Sequence, residues 1–127
     1  MKKILLVDDD TVIREVIRAM LEELGDCEIT EAETGKELIL KAKASPPDLI
    51  ICDIIMPGLS GYRAVGELRK EKKLANIPVI FNSASVKDRE MHHMLKPQGP
   101  CTFMIKPFKF QEFIPLVKKA LDTGTIS

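Results

Sequence analysis

The sequence predicts an α/β protein in which helices cover both faces of a parallel five-stranded sheet. Short, continuously apolar runs such as residues 4–7 and 49–52 are typical of strands that are buried on both faces. Amphipathic segments with helical spacing separate these runs, and glycine or proline marks most of the boundaries. Strands that alternate with helices in this way form a parallel sheet between two helical layers.

Five strands are predicted, at residues 4–7, 27–32, 49–52, 77–81 and 102–105. Pro78 lies near the start of the fourth strand, where a missing N–H donor is tolerated. Right-handed crossover connections leave few topologies for such a chain. We expect the flavodoxin-like (βα)5 three-layer sandwich, with strand order 2-1-3-4-5.

Five helices connect or follow these strands, at residues 12–24, 35–44, 62–73, from 86 or 87 to 96, and 110–121. Thr34 and Glu37 have the form of a capping box at the start of the second helix. Pro115 lies inside the fifth helix and predicts a kink there. Helical spacing indicates the apolar faces of the first helix (Val12, Ile13, Val16, Ile17, Met20, Leu21, Leu24) and of the fifth (Phe113, Ile114, Val117, Leu121).

Composition indicates an ordinary globular domain without bulk charge. The 127 residues include 19 basic and 19 acidic side chains, so the chain has no general attraction to nucleic acid or to an anionic membrane. Three scattered cysteines suit reduced thiols rather than a disulfide framework or a zinc site. The apolar run at the amino terminus is too short for a signal peptide, and no window has the length of a membrane span. We expect a cytoplasmic protein.

Acidic residues follow two neighbouring strands of the expected sheet. Asp8 and Asp9 follow the first strand, and Asp53 follows the third. In open α/β sheets, ligands bind beyond the carboxyl ends of the strands where the strand order reverses, which is between these two strands. Clustered carboxylates repel one another and favour a bound cation. Mg²⁺ prefers one or two carboxylates together with water and phosphate oxygens, so the cluster predicts a magnesium site that handles a phosphoryl group.

Two further polar residues end the neighbouring strands. Ser83 follows the fourth strand and offers a hydroxyl, and Lys106 follows the fifth and offers a compact positive charge. Phosphoryl transfer requires mainly positioning and charge neutralisation, which this set supplies. Taken singly, Ser83 could instead be a helix cap and Lys106 a solvated charge. Asp10 leads into the first helix and is expected to favour its N-terminus.

Four motifs in this order resemble those of response-regulator receiver domains. They are ILLVDDD at residues 4–10, DIIMPG at residues 53–58 with Gly61 beyond, NSA at residues 82–84 and KPF at residues 106–108. The resemblance covers essentially the whole chain. It implies a single receiver domain over residues 1–127 with no output domain. A stand-alone regulator and a segment of a longer regulator or hybrid kinase are both compatible with it.

The resemblance also implies a role for each matching residue. Asp53 would accept a phosphoryl group from a sensor histidine kinase, a phosphotransfer protein or a small phosphodonor. Asp8, Asp9, Asp53 and the backbone carbonyl of Ile55 would hold Mg²⁺. Ser83 and Lys106 would contact the phosphoryl group. The chain would then be a signalling switch with slow hydrolysis of its own aspartyl phosphate, rather than an enzyme.

Phosphorylation in this family acts on a partner-binding face. Phe103 matches the aromatic position that turns inward on activation, although a buried core phenylalanine is an equal alternative. The face formed by the fourth helix, fifth strand and fifth helix would bind a downstream effector. Here Pro97 and Pro100 depart from the family pattern and, with Pro115, leave the shape of that face open. His92 and His93 are adjacent on a helix and therefore point in different directions, which favours solvated or core positions over a metal site.

Three other classes of protein remain as alternatives. Haloacid-dehalogenase-type phosphatases also combine an aspartate nucleophile, Mg²⁺, a hydroxyl and a lysine, but place a second aspartate where this chain has Ile55. An interaction module that is no longer phosphorylated, because its site has decayed, is disfavoured. All five expected site residues are present: Asp8, Asp9, Asp53, Ser83 and Lys106. A nucleotide binder is disfavoured because the sequence contains neither of the glycine-rich phosphate-binding motifs, Gly-x-x-x-x-Gly-Lys and Gly-x-Gly-x-x-Gly.

Overall fold

Five parallel strands form the centre of the protein. The computed structural model describes residues 1–85, 92, 94 and 96–126. The strand order is β2-β1-β3-β4-β5, which confirms the predicted topology. Their bounds are β1 (Lys2–Val7), β2 (Cys27–Ala32), β3 (Leu49–Asp53), β4 (Val79–Ser83) and β5 (Cys101–Ile105).

Two layers of helix cover the sheet. Residues of α1 and α4 share one core with one face of the sheet, and residues of α2 and α3 share the second core with the other face. This arrangement is the predicted three-layer sandwich. In the described part of the chain the helices are α1 (Thr11–Glu22), α2 (Gly35–Ala44), α3 (Gly61–Arg69) and α4 (Phe110–Thr123), with a short 3-10 helix at Lys72–Leu74.

Strand β3 is buried along its entire length. Leu49 and Ile51 belong to the core beneath α1 and α4, whereas Ile50 and Cys52 belong to the core beneath α2 and α3. This division follows from the alternation of side chains along a strand. It also explains why the run is apolar throughout, as the sequence predicted for a strand covered on both faces.

The helix boundaries depart from the sequence prediction in several places. The first helix ends at Glu22 rather than at residue 24, and the third ends at Arg69, where a separate 3-10 turn replaces its expected last residues. Thr34 Oγ1 accepts from the amide of Glu37 at 3.1 Å, as expected for a cap. The side chain of Glu37 instead pairs with Lys41 at 3.6 Å, so the capping box is only half formed among the described contacts.

The predicted fourth helix, from residue 86 or 87 to 96, lies mostly outside the described residues. His92 and Met94 are helical, whereas Lys96 is not. His92 is buried, which agrees with a core position, and His93 is outside the described residues. The predicted fifth helix corresponds to α4, whose four expected inward residues are all buried. Pro115 lies inside α4 with its side chain exposed, and its kink stays a prediction.

The apolar face predicted for the first helix was too wide. Val12 and Val16 are 64% and 49% exposed, while Ile17 and Leu21 are buried. Arg14 takes the inward position one turn before Ile17, because its guanidinium reaches the carbonyl of Asp8, directly after β1, and the carboxylate of Glu31 on β2. The buried side of α1 is therefore a narrow stripe that consists of Arg14, Ile17 and Leu21.

Strand β4 lies two residues later than predicted. The expected strand was 77–81, but β4 runs to Ser83 because Asn82 pairs with Asp53 of β3 and Ser83 pairs with Ile105 of β5. Strand β5 begins one residue earlier than predicted, at Cys101. Because β4 is a central strand, backbone pairing with both neighbours keeps its last two residues in the strand, although their polar side chains disfavour a strand.

Candidate functional site

The carboxyl ends of β1 and β3 bring three carboxylates together. Asp8 and Asp9 follow β1, and Asp53 is the last residue of β3. One carboxylate oxygen from each lies within 4.8 Å of the others, a separation that a single cation can bridge. Asp8 and Asp53 are buried whereas Asp9 is exposed. The donor set is therefore all oxygen and open to solvent on one side, which fits Mg²⁺ with its retained water ligands.

Asp8 is held rigidly at the base of the cluster. Its Oδ1 accepts from the backbone amide of Asp10 at 2.9 Å, and its Oδ2 accepts from Nζ of Lys106 at 2.8 Å. Asp10 in turn caps α1, accepting from Val12 N at 2.9 Å and from Ile13 N at 3.3 Å, as its position before the helix indicated. Both oxygens of Asp8 are thus already engaged.

Asp53 is a buried acid whose ionised form is disfavoured. Burial raises the pKa of Asp53 to about 6; Lys106 opposes this increase, while the charge of Asp8 adds to it. Its Oδ2 lies 3.4 Å from Nζ of Lys106. A carboxylate that is only partly compensated by one ammonium leaves room for a further positive charge at this position.

Lys106 compensates both buried carboxylates. Burial by itself lowers the pKa of this ammonium, but its hydrogen bond to Asp8 and the negative charges of Asp53 and Asp8 outweigh that effect. The net result is a raised pKa, so Lys106 is positively charged at neutral pH. The peptide bond that follows it, to Pro107, is cis.

Ser83 lies at the same edge of the sheet. It is the last residue of β4 and is buried, and its carbonyl accepts from the backbone amide of Lys106 at 2.8 Å. Its Oγ accepts from the amide of Ser85 at 3.3 Å. The main chains that carry the hydroxyl and the ammonium are therefore joined directly.

The loop after β3 folds back onto the strand. The amide of Gly61 donates to the carbonyl of Ile54 at 2.9 Å, and a Cβ at Gly61 would overlap the carbonyl oxygen of Asp53. Only glycine permits this close approach, which explains its place three residues beyond the Pro57–Gly58 turn. Ile55 has a 62% exposed side chain, and the metal-binding role of its carbonyl stays a prediction.

Phe103 lies on β5 beside a cluster of aromatic rings. It is partly buried against the core, and its ring centroid lies 5.3 Å from that of His92. Nδ1 of His92 lies 2.9 Å from the hydroxyl of Tyr62 on α3. Phe103 is thus only partly buried rather than a fully buried core residue, and its switching role stays a prediction.

Arg14 supports the site but was not predicted from the sequence to do so. Its Nη1 donates to the carbonyl of Asp8 at 2.6 Å, and its guanidinium pairs with Glu31 and Glu33 at 3.0 Å each. The arginine therefore anchors the end of β1 from behind the acidic cluster. A signal was present in the sequence, since Arg14, Ile17 and Leu21 follow the i, i+3, i+7 spacing of one inward stripe.

An open α/β sheet with an oxygen-ligand cluster at its switch point defines a class of phosphate- or metal-binding domains. Comparison with known proteins identifies the family within this class. The response regulator receiver domain family matches residues 4–118. The chain therefore belongs to this family, as the four motifs indicated, and is a receiver domain of two-component response regulators. Phosphorylation and Mg²⁺ binding are typical of the family.

Individual relatives agree with this assignment. The chain is 33% identical to Protein PilH of Pseudomonas aeruginosa over 122 residues, covering 95% of this chain and 98% of PilH. It is 35% identical to the Bacillus subtilis alkaline phosphatase synthesis regulator PhoP, but spans only 51% of that protein. The receiver domain of sensor histidine kinase PA1611 of Pseudomonas aeruginosa, solved with magnesium in its active-site cleft, superposes with a TM-score of 0.83 at 30% identity, covering 95% of this chain and 98% of that one.

Within the described residues no helix has the length and apolar character needed to cross a membrane.

Proposed function

We propose that Asp53 is the phosphoacceptor of this receiver domain. The observation that carries the proposal is the position of its buried carboxylate, within 4.8 Å of Asp8 and Asp9 and 3.4 Å from the ammonium of Lys106. An oxygen of Asp53 attacks the phosphorus of a phosphohistidine on a sensor kinase or phosphotransfer protein, or of a small phosphodonor. A P–O bond forms as the P–N or P–O bond to the leaving group breaks, and the leaving group keeps the electron pair.

Asp8, Asp9, Asp53 and the carbonyl of Ile55 would hold Mg²⁺. The ion would supply positive charge that offsets the developing charge on the phosphoryl oxygens. Because Asp8 already accepts two hydrogen bonds, Asp9 is the freer carboxylate for direct coordination. Lys106 and Ser83 approach the same edge of the sheet and would bind the phosphoryl oxygens.

The phosphorylated form would act as a switch. New negative charge on Asp53 attracts Lys106 and the hydroxyl of Ser83, and the main chain of both residues leads to β5 and Phe103. The face that includes β5 and α4 would then bind a downstream effector protein or domain. Slow hydrolysis of the aspartyl phosphate would reset the switch, and residues 1–127 would act as one receiver domain. The three free cysteines suit a reducing cytoplasm.

Intact-mass analysis after incubation with acetyl phosphate and Mg²⁺ tests this function. The chain should gain one phosphoryl group that is labile to acid and base, as expected for an acyl phosphate. Asp53→Asn should abolish the gain, whereas Asp10→Asn, which keeps a capping oxygen just beside the cluster, should not. Uptake on another residue in Asp53→Asn would contradict the assignment. Turnover of p-nitrophenyl phosphate would instead indicate a phosphatase.

A further inference from the structure

The side chain of Asn82 is fully buried and has no hydrogen-bond partner among the residues that the structure describes. Its side chain has 0% exposure, and neither Nδ2 nor Oδ1 contacts a donor or acceptor in the described ranges of the chain. Most buried polar side-chain atoms in native proteins are paired, and leaving one unpaired is destabilising. A carboxamide with both ends unpaired in a central strand therefore requires a specific explanation.

The position of Asn82 supplies that explanation. In the parallel pairing of β3 and β4 it is the partner of Asp53, so both side chains project from the same face of the sheet. Ile80, two residues earlier, belongs to the core on that face, as does Ile51 two residues before Asp53. Adjacent strands lie about 4.8 Å apart, which puts the carboxamide within reach of the Asp53 side chain.

The main chain fixes this proximity. The carbonyl of Asn82 accepts from the amide of Ile54, directly after Asp53, at 3.0 Å. The next strand presents the apolar Met104 beside Asn82 on its other side. Among its two register partners, only the acidic one offers a hydrogen-bonding group. The carboxamide is thus directed toward the acidic site rather than toward a structural partner.

We propose that Asn82 is a further binding residue of the phosphoacceptor site, donating a hydrogen bond from Nδ2 to the phosphorylated Asp53 side chain. The inference rests on the proposed function of Asp53. An acyl phosphate adds acceptor oxygens and negative charge beside the amide, which is a neutral donor well suited to them. A group that is unpaired in the resting form and paired in the phosphorylated form biases the equilibrium toward the latter.

This role predicts two effects of opposite sign. Asn82→Leu replaces the unpaired amide with an apolar group of similar size, so the resting protein should become more stable. The same change removes the donor, so binding of the phosphoryl mimic beryllofluoride should become weaker. A residue with a purely structural role would change stability and binding in the same direction, or stability alone.

The experiment compares wild type, Asn82→Leu and the smaller Asn82→Val, with Met104→Leu as the matched control on the neighbouring strand. Melting temperature is measured without ligand, and beryllofluoride affinity is measured calorimetrically at saturating Mg²⁺. Both Asn82 variants should melt about 4 °C higher and bind beryllofluoride about tenfold more weakly, while the control changes neither. The inference about Asn82 would be overturned if both Asn82 variants bound beryllofluoride with wild-type affinity. It would also be overturned if both bound more weakly and melted at a lower temperature. Either result would leave the proposed function of Asp53 intact. If wild type itself fails to bind beryllofluoride, the proposed function fails as well.

Discussion

Nζ of Lys106 lies 2.8 Å from Oδ2 of Asp8, nearer than the 3.4 Å that separates it from Oδ2 of Asp53. The ammonium therefore has its closest contact with the carboxylate that is only 1% exposed, and a longer one with the proposed phosphoacceptor. Phosphorylation of Asp53 would strengthen the contact between Lys106 and Asp53, because it adds negative charge and acceptor oxygens to the Asp53 side chain. Lys106 is thus placed to redistribute its contacts when Asp53 is modified.

Replacing Lys106 should separate phosphorylation from its consequences. We expect Lys106→Ala to accept a phosphoryl group still, since Mg²⁺ would carry most of the charge neutralisation. The amide-shift response of β5 and α4 to beryllofluoride should be lost, because the ammonium would no longer join the phosphoryl group to β5. Lys109→Ala, an exposed lysine three residues further along, is the control. A full wild-type response in Lys106→Ala would exclude it from the switch.

Asp9 should contribute more to Mg²⁺ binding than its exposure suggests. Asp8 has both oxygens in hydrogen bonds, whereas Asp9 is exposed at the rim of the cluster and freer to approach an ion. Asp9→Ala should weaken Mg²⁺ binding at least about tenfold in an NMR titration without phosphate. Asp26→Ala removes an exposed acid just before β2, at the amino-terminal ends of the strands and so at the far end of the sheet from the site. It should leave the affinity unchanged. Equal affinities in the two variants would count against the site.

Asp53 should reduce the stability of the protein at neutral pH when Mg²⁺ is absent. Its pKa is about 6 in the folded chain and 3.8 as a free group, so the folded state binds the proton more tightly. Stability from this group is therefore greatest at low pH and is lost as pH rises from about 4 through 6. Asp53→Asn should raise the free energy of unfolding by about 1 to 2 kcal/mol at pH 7, with allowance for solvent screening, and change it little at pH 4.

Urea unfolding of wild type and Asp53→Asn across this pH range measures the difference directly. Addition of Mg²⁺ at pH 7 should reduce it, because only the wild-type cluster keeps all three carboxylates. A stability difference that is the same at pH 4 and pH 7 would show that ionisation of Asp53 is not its cause.

Arg14 should be far more important for stability than its neighbour Arg18, although both pair with Glu31. The side chain of Arg14 is 8% exposed and that of Arg18 is 38% exposed. Arg14→Met leaves the carbonyl of Asp8 without this donor, removes the ion pair to Glu33 and leaves Glu31 paired with Arg18 alone. Because both glutamates are partly exposed to solvent, we expect a loss of about 2 kcal/mol. Arg18→Met should cost less than about 1 kcal/mol. Similar losses in urea unfolding of the two variants would contradict the buried role of Arg14.

The sequence alone predicted the topology and the acidic cluster that the structure contains. Apolar runs such as residues 49–52 indicated strands covered on both faces, and the crossover rule left few ways to connect them. The position of Asp8, Asp9 and Asp53 after neighbouring strands predicted the acidic cluster, because parallel strands end at one edge of the sheet. The apolar runs and the acidic residues that follow two of them are local features of the sequence, so they could be recognised without knowledge of the tertiary contacts.

Tertiary structure decided which side chains are buried and which polar groups meet. Val12 and Val16 fit a helical apolar face but are exposed, because no element in the described part of the chain covers that side of α1, and the buried stripe begins instead with Arg14. The sequence predicted Asn82 just beyond the fourth strand, yet it pairs with Asp53 on β3 and so lies beside the proposed phosphoacceptor. Arg14 and Asn82 depend on contacts with residues 17 and 29 positions away in the chain, Glu31 and Asp53, and register and burial at such separations are fixed only when the layers pack.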